Sequence, residues 1–168
     1  MRALLHGPRG HPIHPPLTDA TIGAYTVATV LAVLAAFGVA EGKLAPAWWI
    51  ALVVGLVFNA PTSITGLLDW KEITRGTPLK RTATTHLLVM VAAAALFGLA
   101  ALLGYGGWSE GEIEALPLVL TLAGFATLTA GGWIGGSIVF AHGMRVETEP
   151  EKPTGDAIVP DKDEIREA

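Results

Sequence analysis

The sequence predicts an all-α integral membrane protein: a four-helix bundle running up-down-up-down, with both termini in the cytoplasm. Three observations predict it. Only 15% of the 168 residues are charged, where a soluble domain carries about 25%. The deficit is concentrated in four nearly uncharged runs, each long enough to cross a hydrocarbon core that takes about 20 helical residues. The basic residues of the short flanks also alternate in side, as the positive-inside rule requires.

The four runs cover about 17–40, 45–68, 84–105 and 116–141. A chain of this length lacks the polar surface to wrap four such helices as a soluble core, so lipid must cover them. With four spans, the N-terminus, the second loop and the C-terminus share one side. That side holds Arg2, Arg9, Lys71, Arg75, Lys80, Arg81 and Arg145. The opposite side holds Lys43 among Glu41, Glu110, Glu112 and Glu114. Trp48, Trp49, Tyr105 and Trp108 are expected at the outer boundary and Trp70 at the inner one, where amphipathic rings anchor.

Residues 1–16 form a His/Pro leader. It is too proline-rich for an ordinary secretion signal, although Gly38-Val39-Ala40 has some likeness to a cleavage site. Residues 17–143 form the four-helix domain. Residues 144–168 read as a disordered acidic tail, because they contain too little apolar surface to order themselves. No internal repeat is evident. The chain has no cysteine, which excludes disulfides and thiolate-held metal or iron–sulfur groups.

The leader begins the candidate site. In Gly10-His11-Pro12-Ile13-His14-Pro15-Pro16 the prolines fix their own φ and push the residues before them towards extended backbone. In a polyproline II helix His11 and His14 would stand roughly 9 Å apart, at about 3.1 Å per residue. They would then act as one ligand and one supporting hydrogen bonder. Thr18 or Asp19 is the expected N-cap of the first span.

Topology gathers more polar groups at the same end. Asp69 and Trp70 close the second span there, His86 opens the third, and His142 ends the fourth. Each is also explicable as a boundary residue. Asp69 either pairs with Lys71, Arg75 or Arg81, or orients His86 or His14 as carboxylates behind metal-bound imidazoles do. On the fourth span Gly131, Gly135 and His142 share a face at α-helical spacing. That face fits either a closely packed helix or a flat macrocycle with His142 and His86 as axial ligands. Thr18, Thr21, Tyr25 and Thr29 on the first span oppose Asn59, Thr62, Ser63 and Gly66 on the second. These stripes serve as interhelical glue or as a conduit. Pro61 interrupts the second span.

Together, Gly10-His11-Pro12-Ile13-His14-Pro15, Leu17-Thr18-Asp19, Gly66-Leu67-Leu68-Asp69-Trp70, Thr85-His86 and Gly131-Gly132 to His142-Gly143 carry a likeness. Over residues 8–146 the chain resembles an uncharacterised bacterial family of four-helix membrane proteins, a domain of unknown function. The family's occasional fusion to Rieske iron–sulfur domains implies a link to membrane redox chemistry and a place in the bacterial inner membrane as a multi-pass protein. Some relatives differ where His142 stands, which leaves His11, His14, Asp69 and His86 as the stronger candidates.

The functional expectation is a small membrane component that holds haem b or a transition metal through His86, His142, His14 and His11, on a face opened by Gly131 and Gly135. Asp69, Trp70 and Asp19 would stand behind these ligands, and His11, His14 and His86 would be the ligands of a bare metal. The alternatives are a cofactor-free scaffold or accessory subunit, and a proton or small-solute conduit along Asn59, Ser63 and Tyr25. Partners are the lipid bilayer and either further copies or a larger redox complex, with no nucleic acid. No hydrolytic triad, phosphate loop or metalloprotease spacing is present, so catalysis is not expected.

Overall fold

In a computed structural model, which describes residue 7, residues 11–146, 148 and 150–158, four long helices form the protein. These are α1 (His14–Ala36), α2 (Leu44–Glu72), α3 (Pro78–Leu103) and α4 (Ala115–Gly136), and a π-helical turn, Ser137–Ala141, extends α4. Single helical turns occur at Gly107–Glu110 and Thr154–Ile158. All four long helices are long and apolar enough to span a membrane. No more than 28% of any spanning window is buried by protein, so lipid contacts the rest. His6, Arg2, Arg9 and the tail from 159 onwards lie outside the described residues.

Helix starts depart from expectation in an instructive way. α1 begins at His14, with Pro15 and Pro16 inside its first turn. The first turn leaves its N–H groups without helical partners, so proline loses nothing there and its φ suits the helix. His14 is therefore helical rather than extended. Thr18 does not cap; its hydroxyl donates back to the His14 carbonyl at 2.9 Å. α3 begins at Pro78, six residues before the expected 84, because Thr77 caps it by accepting from the Lys80 N–H. α2 continues unbroken through Pro61.

The packing consists of two hairpins, α1 on α2 and α3 on α4, joined more lightly to each other. The hairpins share one register. α1 matches α3 at a separation of 72 positions, and α2 matches α4 at 69. Thr21, Tyr25, Ala28, Thr29 and Ala32 are buried on α1, and their counterparts Ala93, Phe97, Ala100, Ala101 and Gly104 are buried on α3. Trp48, Leu52, Gly55 and Thr62 on α2 likewise match buried Pro117, Thr121, Gly124 and Gly131 on α4. The four-helix domain is thus a tandem repeat of a helical hairpin in its pattern of buried positions.

Rings seated on glycines hold each hairpin together. Tyr25 covers Gly55 and Phe97 covers Gly124, at matching positions of the two hairpins. The two rings stack on each other where the hairpins meet, with centroids 4.0 Å apart and planes 9° apart. His14 covers Gly66, and His86 covers the matching Gly135. Trp48, expected at the outer boundary, faces into the bundle, fully buried against Gly104, and donates to the Thr121 hydroxyl at 3.2 Å. Trp49 occupies the boundary with Tyr105 and Trp108, at ring separations of 5.5 and 5.3 Å.

A Cβ at Gly55 would lie 2.5 Å from the Tyr25 ring, while one at Gly124 would lie 3.1 Å from Phe97. Gly55→Ala is therefore expected to destabilise by about 1–3 kcal/mol, the usual cost of overpacking, and Gly124→Ala by less. Gly98→Ala, whose Cβ would sit 3.9 Å from Leu56, should be neutral or stabilising. Thermal melts of detergent-purified variants check the order.

Candidate functional site

Each hairpin carries a histidine in the part of its first helix that lies at one end of the bundle, and the two imidazoles are held alike. His14 Nδ1 lies 3.0 Å from the Thr62 carbonyl and 3.2 Å from the Thr65 hydroxyl. His86 Nδ1 lies 2.9 Å from the Gly131 carbonyl. A carbonyl only accepts, so Nδ1 carries the proton in each ring and the neutral tautomer leaves Nε2 as a bare lone pair. The accepting residues are themselves counterparts, 69 positions apart, each one turn before the glycine beneath the ring. Among the described residues neither Nε2 makes a hydrogen bond. His14 lies within electrostatic reach of His86 and of Asp69.

Backbone geometry explains why the rings fit. Each imidazole lies against a helix at a position without a side chain, with Gly66 under His14 Cε1 and Gly135 under His86 Cε1. Glycine in a helix interior costs roughly 1 kcal/mol relative to alanine. Here the close approach brings each Nδ1 to a main-chain oxygen.

The remaining candidates distribute as follows. Gly131 and Gly135 are covered by Met90 and His86 of α3, so the close approach they permit is to a neighbouring helix. His142 is exposed, with Nε2 3.2 Å from the Thr82 hydroxyl. The shared face of Gly131, Gly135 and His142 assumed an α-helix throughout. The π-turn, in which the His142 N–H reaches the Ser137 carbonyl, breaks the α-helical spacing between Gly135 and His142. His11 is exposed and precedes α1. Asp19 is exposed on α1. Among the described residues no group of three His, Asp or Glu side chains is placed to hold a metal ion.

Asp69 is buried and accepts from Arg145 Nη2 at 2.7 Å, and the same nitrogen reaches Glu72 at 3.0 Å. The sequence offered Lys71, Arg75 or Arg81 for this role, and the structure brings Arg145 to it. Arg145 follows the π-turn with a positive φ of 60°, after Gly143 at 66°, and that chain reversal carries it back over α2. No local signal in the sequence marks it as the partner. Trp70 is tied to α3, donating to the Thr84 hydroxyl at 3.0 Å, with Lys80 Nζ 3.3 Å above its ring. These contacts fasten the two hairpins at the histidine end. Of the expected polar stripe, Ser63 faces outwards, while Thr62 turns inwards and shares a 3.0 Å hydrogen bond with Thr21. A cleft of about 460 Å³ opens at the far end, between the α1–α2 loop and the α3–α4 loop, and holds Glu41 and Glu112 but no histidine.

Arg145 is half-exposed, so its ion pairs are worth about 0.2–1 kcal/mol and weaken with salt. Arg145→Ala is expected to speed amide exchange over residues 142–146 while leaving exchange in the middle of α1 and α3 unchanged. Hydrogen–deuterium exchange in detergent measures both.

Neither a curated protein nor a solved structure matches the chain. A family model described as a predicted membrane protein, DUF2231, matches residues 10–148 and so covers all four spans and both imidazoles. The chain is a multi-pass membrane protein and belongs to the DUF2231 family.

Proposed function

We propose that the protein is a small membrane electron-transfer component whose histidine end holds haem b between His14 and His86. The observation that carries the reading is the matched pair of Nδ1-anchored imidazoles. A carbonyl on Nδ1 fixes ring orientation and raises the basicity of Nε2, as it does behind metal-bound histidines generally. His14 and His86 would hold the haem iron through these two nitrogens. A bare transition metal asks for three or more protein ligands, and the described residues offer no such group. Haem is thus the better match to the donor set. Bound there, haem would supply one-electron chemistry; the protein's part is to present two neutral imidazoles in a setting of low dielectric. The excess of Lys and Arg in the flanks at this end supports a cytoplasmic position for it, and the resemblance to a bacterial family supports the inner membrane.

A second reading has its own observation. Met90 and His86 already fill the glycine positions of α4, as they would in a cofactor-free scaffold that assembles with copies of itself or with a larger complex. The two readings separate on one sample. Haem predicts a Soret band that shifts on reduction in protein purified from haem-replete cells. His14→Ala and His86→Ala should each lower bound haem at least tenfold, while His142→Ala retains it. A colourless preparation overturns the haem reading. Co-purification of a larger complex, with an unchanged yield of His86→Ala protein, supports the scaffold.

A further inference from the structure

The repeat provides an internal reference, and one polar feature exists in the first hairpin alone. Tyr25 is 1% exposed, and its hydroxyl has no hydrogen-bond partner. Its counterpart is Phe97, which has no hydroxyl to satisfy. A buried hydroxyl without a partner costs roughly 1–3 kcal/mol, and the repeat shows that a phenyl ring fits the same seat on glycine. Helical side chains lean towards their N-terminus, which for α1 is the histidine end, and Asn59 lies on that side of Gly55, one turn along α2. Asn59 is half-buried, and its amide makes no hydrogen bond among the described residues. The counterpart of Asn59 is buried Leu128.

The asymmetry continues to the histidine end. Thr21 and Thr62 share their hydrogen bond where the second hairpin has Ala93 and Gly131. Thr65 lies one turn further along, opposite Ile134 in the other hairpin. Beyond Tyr25 in the other direction the seam is closed. Ala28, Ala32, Trp48 and Leu52 are fully buried there, and the Trp48 indole N–H has its acceptor.

We propose that the α1–α2 seam holds ordered water between Tyr25 and Asn59 and forms a half-channel, giving water and protons access from the histidine end to the middle of the bundle and no further. Water supplies what both groups lack, since it donates to the amide oxygen and accepts from the phenol. A site for it needs two to four polar partners, and Tyr25, Asn59 and the Thr21–Thr62 pair provide them. The half-channel does not depend on whether the imidazoles hold haem.

The test uses the full chain in lipid nanodiscs, with ¹³Cζ-labelled tyrosine and Tyr105→Phe to leave Tyr25 as the sole tyrosine. The infrared C–O stretch of the phenol reports its hydrogen bonding. The expected spectrum is that of a bonded phenol whose O–H exchanges within minutes of transfer to D₂O. Asn59→Leu and, separately, Thr21→Ala each introduce the residue already present at the matching position of the second hairpin. Either should slow the exchange at least tenfold, and Asn59→Leu should convert the phenol to an unbonded one. An unbonded phenol in the parent protein, or bonding and exchange unaltered in both variants, overturns the proposal. Proteoliposomes should pass protons no faster than empty vesicles; a sustained flux overturns the closed far end.

Discussion

The close approach of rings to glycine backbone is the constraint from which the rest of the structure follows. Lipid offers helices no hydrophobic reason to associate, since the tails are as apolar as the side chains, and contact must come from packing and hydrogen bonds. Within the hairpins, four glycines supply it. Gly55 and Gly124 accept Tyr25 and Phe97, and Gly66 and Gly135 accept His14 and His86. The first pair builds the centre, where the two rings stack between hairpins. The second pair builds the histidine end, where the same closeness brings each Nδ1 within hydrogen-bond distance of a carbonyl. Fold and candidate site are consequences of one device used four times.

The repeat explains the form of the site, and the differences between its two halves explain its character. Two hairpins in one register place two imidazoles at equal depth, each with its tautomer fixed by an accepting carbonyl. At these positions the second hairpin has Phe97, Leu128 and Ala93, while the first carries Tyr25, Asn59 and Thr21. Asp69 and its partner Arg145 also break the symmetry, since Asp69 matches Ile138 in the π-turn. The two halves therefore share a framework, and the polar chemistry belongs mostly to one of them.

The repeat escapes a reading of the sequence for a physical reason. Lipid-facing positions accept almost any apolar side chain, so only the inward residues retain a pattern. Even those pair unlike residues, such as Trp48 with Pro117 and Thr62 with Gly131. A change of separation from 72 to 69 positions between the first and second helices of each hairpin disrupts the alignment further. What persists is steric, a glycine where a ring must lie, and that becomes visible only when the ring and its glycine are seen together.

By itself the sequence determined the class of the fold, the number and approximate extent of the spans, and the gathering of His14, Asp69 and His86 at one end. Those follow from length, apolarity and alternation, which act locally along the chain. Tertiary structure alone decided which side chains meet. It assigned Asp69 to Arg145, because a left-handed turn after the π-helix reverses the chain. It set His142 against Thr82 of α3, after a π-turn that breaks the α-helical spacing. It turned Trp48 into the bundle, because Gly104 leaves room for an indole there. Each of these outcomes depends on the distance between two helices, a quantity that no single stretch of sequence contains.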